Sequence, residues 1–456
     1  MSGQEVMSRA GELFAGGLGN LAAYLAAHVL LCLLPAFLIA GAMSALIPKE
    51  TITRFLGRTR SVFISYPAAA VAGFLLAVCS CTVIPLFAGI YKKGAGLGPA
   101  ITFLFVAPAV NILAISYTGR VIGMDLAVAR LILSIGFGVL IGLAMASIFR
   151  KDDLAHDEAS DLLFAGEAKM GWTRGVFLLL LAALLIAGTL QVDILKVSYA
   201  HFDLPMPGVG AFQDFLHRLV PFDVTRGEEG VTVQGAILIG LLFLNGIAAW
   251  RGIGSANDGI NRWSWIFMVI LGSTLLFASL NIIPGRTILT IHFTGKFFAV
   301  LAAVVPLGFV LRKRLSRDDA EAFLWESWRF TKQIFPLLIL GVFVVGIVRG
   351  LIQPEWIKAL AGENSLRGNF AGVVFGIVMY FPTLIEVPVA QMFLELGMHR
   401  GPLLAYLIAD PVLSFQSVLL TAAIIGRKKA VVYVLLIALA GTVAGLLYGT
   451  WVNSYQ

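Results

Sequence analysis

Two groups of residues in this chain have the types and spacing for chemistry. The first is Cys79-Ser80-Cys81-Thr82, with Pro85 close behind. Thiols two residues apart point to opposite faces of an intact helix, but to one side of extended backbone. Proline lacks an N–H and crowds the carbonyl four residues back. An interruption near Pro85 would therefore let the two sulfurs of Cys79 and Cys81 converge. Paired thiolates suit soft ions such as Cu(I), Zn(II) or trivalent arsenic. The same pair also reads as small, buried, inert cysteines. The second group is Glu386 and Asp410, each in apolar sequence beside a proline, Pro388 and Pro411. Inside a bilayer a carboxylate costs about 2.5–3.5 kcal/mol to insert, so it faces a cavity and works there, carrying a proton or a cation. Asn111 follows Pro108, and Ser414 and Gln416 follow Pro411, adding hydrogen-bonding groups at both places. His28, His292, Lys296, Arg349 and Cys32 also fall in or near apolar stretches and read as packing or snorkelling residues.

The elements that must hold these residues are membrane spans. Of 456 residues, 59% are hydrophobic and only 13% charged. Soluble domains run near 45–50% apolar and about 25% charged. Stretches free of Asp, Glu, Lys and Arg at 21–47, 61–91, 94–119, 131–149, 231–250, 263–285 and 430–456 reach or approach the roughly 20 residues that cross about 30 Å. Five more, around 175–192, 287–311, 333–348, 368–394 and 401–426, bring the expected total to ten to twelve transmembrane helices. The fold class is an all-α polytopic membrane protein. The first apolar run is too long for a cleaved signal core. The net charge of +7 lies in short loops and reads as topology signals rather than a nucleic-acid face. Three cysteines in apolar stretches argue against a disulfide framework.

A shift of 303 residues superimposes Pro85 on Pro388, Gly94 on Gly397, Gly98-Pro99 on Gly401-Pro402, Pro108 on Pro411, Gly123 on Gly426, Gly138 on Gly441 and Gly142 on Gly445. With a small gap upstream, Pro35 meets Pro336 and Pro48 meets Pro354. The expected organisation is an N-terminal segment (1–20), a first repeat (21–149), a linker with a polar loop and further spans (150–330), and a second repeat (331–452). Duplicated bundles of this kind build secondary transporters, with the substrate site near the midplane. The basic clusters at 49–60 and 312–332 share one side only if the repeats are inverted; Arg427-Lys428-Lys429 argues the other way. Residues 150–172 and 193–230 read as connectors, with an amphipathic stretch at 212–219.

The run 61–91 would measure about 46 Å as a straight helix, so it must tilt, kink or break. Pro85, Pro108, Pro382, Pro388 and Pro411 free the carbonyls of Cys81, Leu104, Val378, Leu384 and Leu407. Freed backbone in a bilayer is tolerated only where protein, water or ligand satisfies it. Recurrence in both halves therefore marks a substrate site.

The run CSCTVIPLFAGIYKKGAGLGPAITFLFVAPAVNILAISYTGRVIG (79–123) resembles the bacterial ArsP/YraQ-type predicted permeases. Their hallmark is CSC-x-x-I/V-P, then a basic-Gly turn and a second Pro-broken stretch. LIEVPVAQMFLELGMHRGPLLAYLIADPVLSFQSVLL (384–420) resembles the second-half counterpart, while 150–310 matches nothing. The resemblance implies a permease of the bacterial cytoplasmic membrane. Its best described members export trivalent organoarsenicals, and related ones are linked to metal efflux. Carried over, the motif marks Cys79, Cys81, Pro85, Pro108, Asn111, Glu386, Pro388, Asp410 and Pro411.

The expected function is thus secondary-active transport of a soft metal or metalloid species by alternating access, coupled to protons through Glu386 or Asp410. Expected partners are the bilayer and the solute, with a homo-oligomer left open and no cofactor. No Walker A pattern supports ATP-driven pumping. An intramembrane enzyme lacks an HExxH motif, a cofactor fingerprint and a nucleophile–base pair; a channel would conduct without coupling.

Overall fold

The computed structural model describes residues 3–27, 29–57, 60–76, 80–163, 171–190, 193–220, 222–223, 228–253, 260–349, 354–378 and 386–454. The chain is mostly helical. It opens with α1 (Gly3–Ala27), a π-helical turn (Val29–Leu33) and α2 (Leu34–Leu46), whose first turn accommodates Pro35. Proline costs little there because that N–H has no intrahelical partner. Next come the amphipathic α3 (Lys49–Leu56), then α4 (Val62–Leu76) and α5 (Ser80–Lys92) on either side of residues 77–79. α6 (Leu97–Ala109) and α7 (Ile112–Val121) are bent by 41°. α8 (Met124–Ile148) then runs the length of the bundle, and α9 (Arg150–Leu163) follows, packed on its end through Asp153 and His156.

The middle of the chain holds α10 (Trp172–Thr189), a short α11 (Asp193–Lys196), α12 (Val209–Leu219), α13 (Val233–Gly252), α14 (Arg262–Ser279) and α15 (Gly295–Lys313). Here the structure departs from an all-helical expectation. Strands β1 (Ser198–Pro205), β4 (Asn281–Pro284) and β5 (Ile288–Thr294) form an antiparallel sheet in the order β1-β5-β4. A two-stranded ladder, β2 (Phe222–Asp223) with β3 (Glu228–Glu229), lies beside it in sequence. The expected apolar span at 287–311 is divided accordingly. Its first residues, rich in β-branched side chains, pair as strand β5, and the helix begins only at Gly295.

The 33-residue α16 (Arg317–Arg349) packs against α1 and α2, with Asn20 donating to the Val342 carbonyl and Ser44 to Glu326. Then follow α17 (Pro354–Ala361), α18 (Leu366–Val378), α19 (Glu386–Glu395), α20 (Arg400–Ala409), α21 (Phe415–Ile425) and α22 (Arg427–Asn453). Every residue of α6 is buried, and so is α20 from Gly401 to Ala409. A helix apolar on all sides belongs in the middle of a bundle. These two are its centre.

Among the described residues seven helices are long and apolar enough to cross a membrane: α8, α10, α13, α14, α15, α16 and α22. The bent α6–α7 pair makes an eighth, and six shorter apolar helices accompany them. The shortfall from ten to twelve arises because several expected spans are built from pieces. Residues 61–91 are the clearest case. Tyr66 lies over Gly98 and Gly73 over Ala107, so α4 runs parallel to α6. α5 returns the opposite way, ending at Lys92, which pairs with Glu326 at 2.8 Å. The run does not make one kinked crossing; its two helices have their outer ends at the same end of the bundle.

Candidate functional site

The buried charge in this bundle converges on one place. Glu386 is the first residue of α19, and its side chain is fully buried. There it meets the positive end of the helix dipole, which favours a carboxylate. Its Oε1 lies 2.6 Å from Nη2 of Arg130, which is equally buried on α8. Asp410 closes the C-terminal end of α20 and its side chain engages that of Glu386.

Arg130 also ties the site to the first broken helix. Its Nε donates to the carbonyl of Ala109 at 3.2 Å and its Nη1 to Thr118 Oγ1 at 3.4 Å. Ala109 ends α6, and the chain breaks at Val110 and Asn111 before α7 resumes. The carbonyl freed by that break is thus satisfied by a guanidinium, as buried backbone in a membrane bundle requires. Thr118 passes its own hydroxyl to the Ala114 carbonyl at 2.7 Å. One turn beyond Arg130, the buried Ser134 hydroxyl has no hydrogen-bond partner among the described residues.

The sequence-predicted residues distribute as follows. Glu386 and Asp410 are brought together. Asn111 is buried in the α6–α7 break. Ser414 caps α21, accepting from the Ser417 amide, and its hydroxyl lies 2.6 Å from that of Ser417. Gln416 is buried with its stem against Gly341 of α16. Thr82 is buried in α5. Cys79 and Pro382 lie outside the described residues. Ser80 and Cys81 open α5, which forms the helix over their positions.

The prolines need correction. Pro85 is not a break: α5 continues through it from Ser80 to Lys92. Pro388 likewise sits in the first turn of α19, where proline is tolerated. Pro108 and Pro411 do flank breaks, at Val110–Asn111 and in the turn after Ala409, where the Leu413 amide bonds back to the Ala409 carbonyl at 2.7 Å. Arg130 was not anticipated. The apolar run following it was read as beginning at residue 131, so the arginine fell just outside; an isolated arginine within a 25-residue apolar helix was the available signal.

At the end of the bundle where α4 begins and α5 finishes, a cavity of about 560 Å³ is lined by Lys92, Asp152, His156, Arg329, Gln333 and Lys429. His156 stacks on Tyr91 with ring centroids 4.0 Å apart, and Lys429 pairs with Asp152 at 3.5 Å. At the opposite end Asp125 of α8 binds Arg400 of α20 at 3.0 Å and accepts from Tyr448 of α22 at 2.7 Å. Among the described residues no group of three or more His, Cys, Asp or Glu is placed to hold a metal ion.

Residues 15–450 match the family ArsP_1, described as a predicted permease; the match runs through 150–310, where the sequence alone offers no resemblance. The chain is 32% identical over 426 residues to the UPF0718 protein MJ0584 of Methanocaldococcus jannaschii, covering 93% of each chain. It is 29% identical over 118 residues to the UPF0718 protein YraQ of Escherichia coli, covering 26% of this chain and 34% of that one. No solved structure matches.

Proposed function

Because the chain belongs to the ArsP_1 family of predicted permeases, we propose that it is a secondary, proton-coupled permease whose coupling site is Arg130–Glu386–Asp410. The observation that carries this is a fully buried arginine paired with Glu386, with the equally buried Asp410 close to that glutamate, at the junction of the broken helices. One cation and two carboxylates leave a net negative charge in a low-dielectric interior. Binding one proton removes it, and releasing that proton re-creates it. Asp410, at the negative end of the α20 dipole, is the carboxyl group we assign to carry the proton; Glu386 stays ionised against Arg130. The family implies a transporter rather than an enzyme.

The repeats supply the conformational change. Element bounds support two units at the 303-residue offset: α6 with α20, α7 with α21 and α8 with α22. A Cβ at Gly142 would lie 2.6 Å from the Gly98 carbonyl oxygen, and one at Gly445 equally 2.6 Å from that of Gly401. Gly94 and Gly397, both at positive φ, make the same turn before α6 and α20. The units run oppositely. α6 starts where α8 ends, with the Leu97 amide on Asp153, whereas α20 starts where α8 begins, with Arg400 on Asp125. We therefore read ten crossings plus two hairpins, α4–α5 and α18–α19, which enter from opposite faces and bring Ser80 and Glu386 toward the midplane. This is the layout that alternating access uses.

The solute we assign is a soft metal or metalloid species, trivalent organoarsenical-like, held by Cys79 and Cys81. Ser80, Thr82, Asn111, Ser414 and Gln416 would line the path, with breaks beside Pro108 and Pro411, Pro85 inside α5 and Pro388 in the first turn of α19. Paired thiols favour such ions over hard ones. The basic loops at 49–60, 150–151, 312–317 and 427–429 gather at one end, through Leu56 on Gly96, Lys429 on Asp152 and Arg174 on Asp319. That end is the cytoplasmic one by the positive-inside rule. The cavity beside Lys92 then opens to the cytoplasm.

The test is flux. In proteoliposomes under an imposed proton gradient, we expect uptake of a trivalent arsenical, Cu(I) or Zn(II) that follows the gradient. Asp410→Asn should uncouple it, and Cys79→Ser/Cys81→Ser should abolish it. Flux untouched by all three changes removes the site; ion conductance independent of any gradient would make the protein a channel.

A further inference from the structure

A second cavity lies away from the coupling site, between α2, α13, α14 and α16. Its volume is about 520 Å³ and its wall is largely apolar, with Phe37, Trp250, Phe267, Trp328 and Phe335 among the lining residues. Three features break that apolar wall. Asn245 is buried at 4% exposure, and its Nδ2 donates to the Leu241 carbonyl and to Thr274, both at 2.9 Å, while its Oδ1 has no donor among the described residues. Lys332 projects at the rim with its Nζ 4.9 Å from the centre of the Trp325 ring and 5.8 Å from that of Trp328. Pro336, one turn on, removes the N–H that would have closed on the Lys332 carbonyl. The cavity thus offers an apolar chamber, one cation and two acceptors that lack their usual donors.

Its position fixes the kind of molecule. Arg251 packs over Trp263 at 5.0 Å and Arg312 over Trp265 at 5.5 Å, at the end where α13 and α15 finish and α14 starts. Tryptophans paired with cations at helix ends mark a membrane–water interface, and basic residues there attract anionic lipid. We propose that this cavity binds one anionic glycerophospholipid with a hydroxylated headgroup. Its acyl chain fills the chamber, its phosphate pairs with Lys332, and its headgroup hydroxyls donate to Asn245 Oδ1 and the Lys332 carbonyl. The proposal stands on membrane location alone and is independent of the transport cycle.

Gly246 makes the test clean. It lines the cavity, and a Cβ added there meets nothing within 4 Å, so a larger side chain begins in open space beside the chamber. Purified full-length protein is incubated with phosphatidylglycerol or phosphatidylcholine of matched chains and examined by native mass spectrometry. Wild type should retain one phosphatidylglycerol at about fivefold lower lipid concentration than phosphatidylcholine, the preference one basic residue supplies near a surface. Gly246→Leu should lose both lipids while keeping wild-type melting temperature. Lys332→Gln should keep one lipid and lose the preference. Equal retention of the two lipids by wild type, unchanged retention by Gly246→Leu, or an undiminished preference in Lys332→Gln overturns the proposal. So does displacement of the lipid by glycerol phosphate, which carries the headgroup without the chain.

Discussion

Arg130 and Glu386 show how one buried pair can serve stability and function with different consequences for mutation. Both side chains are fully buried and 2.6 Å apart. Removing one partner strands the other charge and typically costs about 3–5 kcal/mol, whereas replacing both with apolar groups of similar volume is often neutral. Arg130→Met should therefore lower the thermal midpoint in detergent sharply, and Arg130→Met/Glu386→Leu should recover most of it. Neither variant should show proton-linked flux. A double variant as unstable as the single one would mean that packing, not charge, holds this junction. The chemistry belongs to one pairing only. At the 303-residue offset Arg130 corresponds to Tyr433, whose buried hydroxyl has no partner among the described residues, and Asp410 corresponds to Ala107. Glu386 and Asp410 were legible in the sequence because carboxylates in apolar runs are conspicuous. That Glu386 pairs with Arg130 was not, because the arginine lies in the other half of the chain and only tertiary packing brings the two together.

At the level of elements, small residues decide how closely the hairpins lie against the broken helices. Gly73 faces the backbone of Ala107, where a Cβ would stand 3.0 Å from the amide nitrogen; Gly376 faces that of Asp410, where it would stand 2.8 Å away. The obstacle is backbone in both cases, so the helices themselves must separate. Gly376→Ala should cost about 1–3 kcal/mol, the usual range for overpacking, and should impair flux because it displaces Asp410. Gly136 on α8 has open space around it, and Gly136→Ala should be neutral or stabilising by roughly 0.5–1 kcal/mol. Melting temperatures and flux on the two variants separate the effects; equal responses would remove the close-approach argument. The same contacts explain what proline could not announce. A proline marks a missing donor, yet Pro85 and Pro388 sit inside intact helices while Pro108 and Pro411 flank breaks. A break also needs a neighbour to satisfy the backbone groups it exposes, as Arg130 does for the Ala109 carbonyl at the end of α6, and that neighbour is distant in sequence. A hairpin and a kinked crossing also present the same uninterrupted apolar run, so 61–91 could not be divided before its contacts with Gly98 and Ala107 were known.

At the scale of the whole molecule, the opposite directions proposed for the two units have a consequence for sidedness. The outer ends of α4 and α5 lie beside Gly96 and Leu97, at the end that gathers the basic loops. Those of α18 and α19 lie beside His399 and Arg400, which reaches Asp125 at the other end. The Gly96 amide bonds to the Leu56 carbonyl, and the His399 amide bonds to the Ala361 carbonyl, so each hairpin is tied to its own amphipathic helix, α3 or α17. Charge distribution then predicts orientation: Arg312, Lys313, Arg314, Arg427 and Lys428 are exposed at the first end and belong in the cytoplasm. Ser61 precedes α4 and Arg367 lies in the first turn of α18, and both are exposed. Single cysteines at these two positions should therefore react with a membrane-impermeant maleimide from opposite sides. In intact cells Arg367→Cys should label and Ser61→Cys should not; in inside-out vesicles the pattern should reverse, with wild-type protein giving the background of Cys32, Cys79 and Cys81. Labelling of both positions from one side would require parallel units. It would also put the two hairpins in the same half of the bilayer, and their proposed approach to the midplane from opposite faces, on which the transport proposal depends, would be lost.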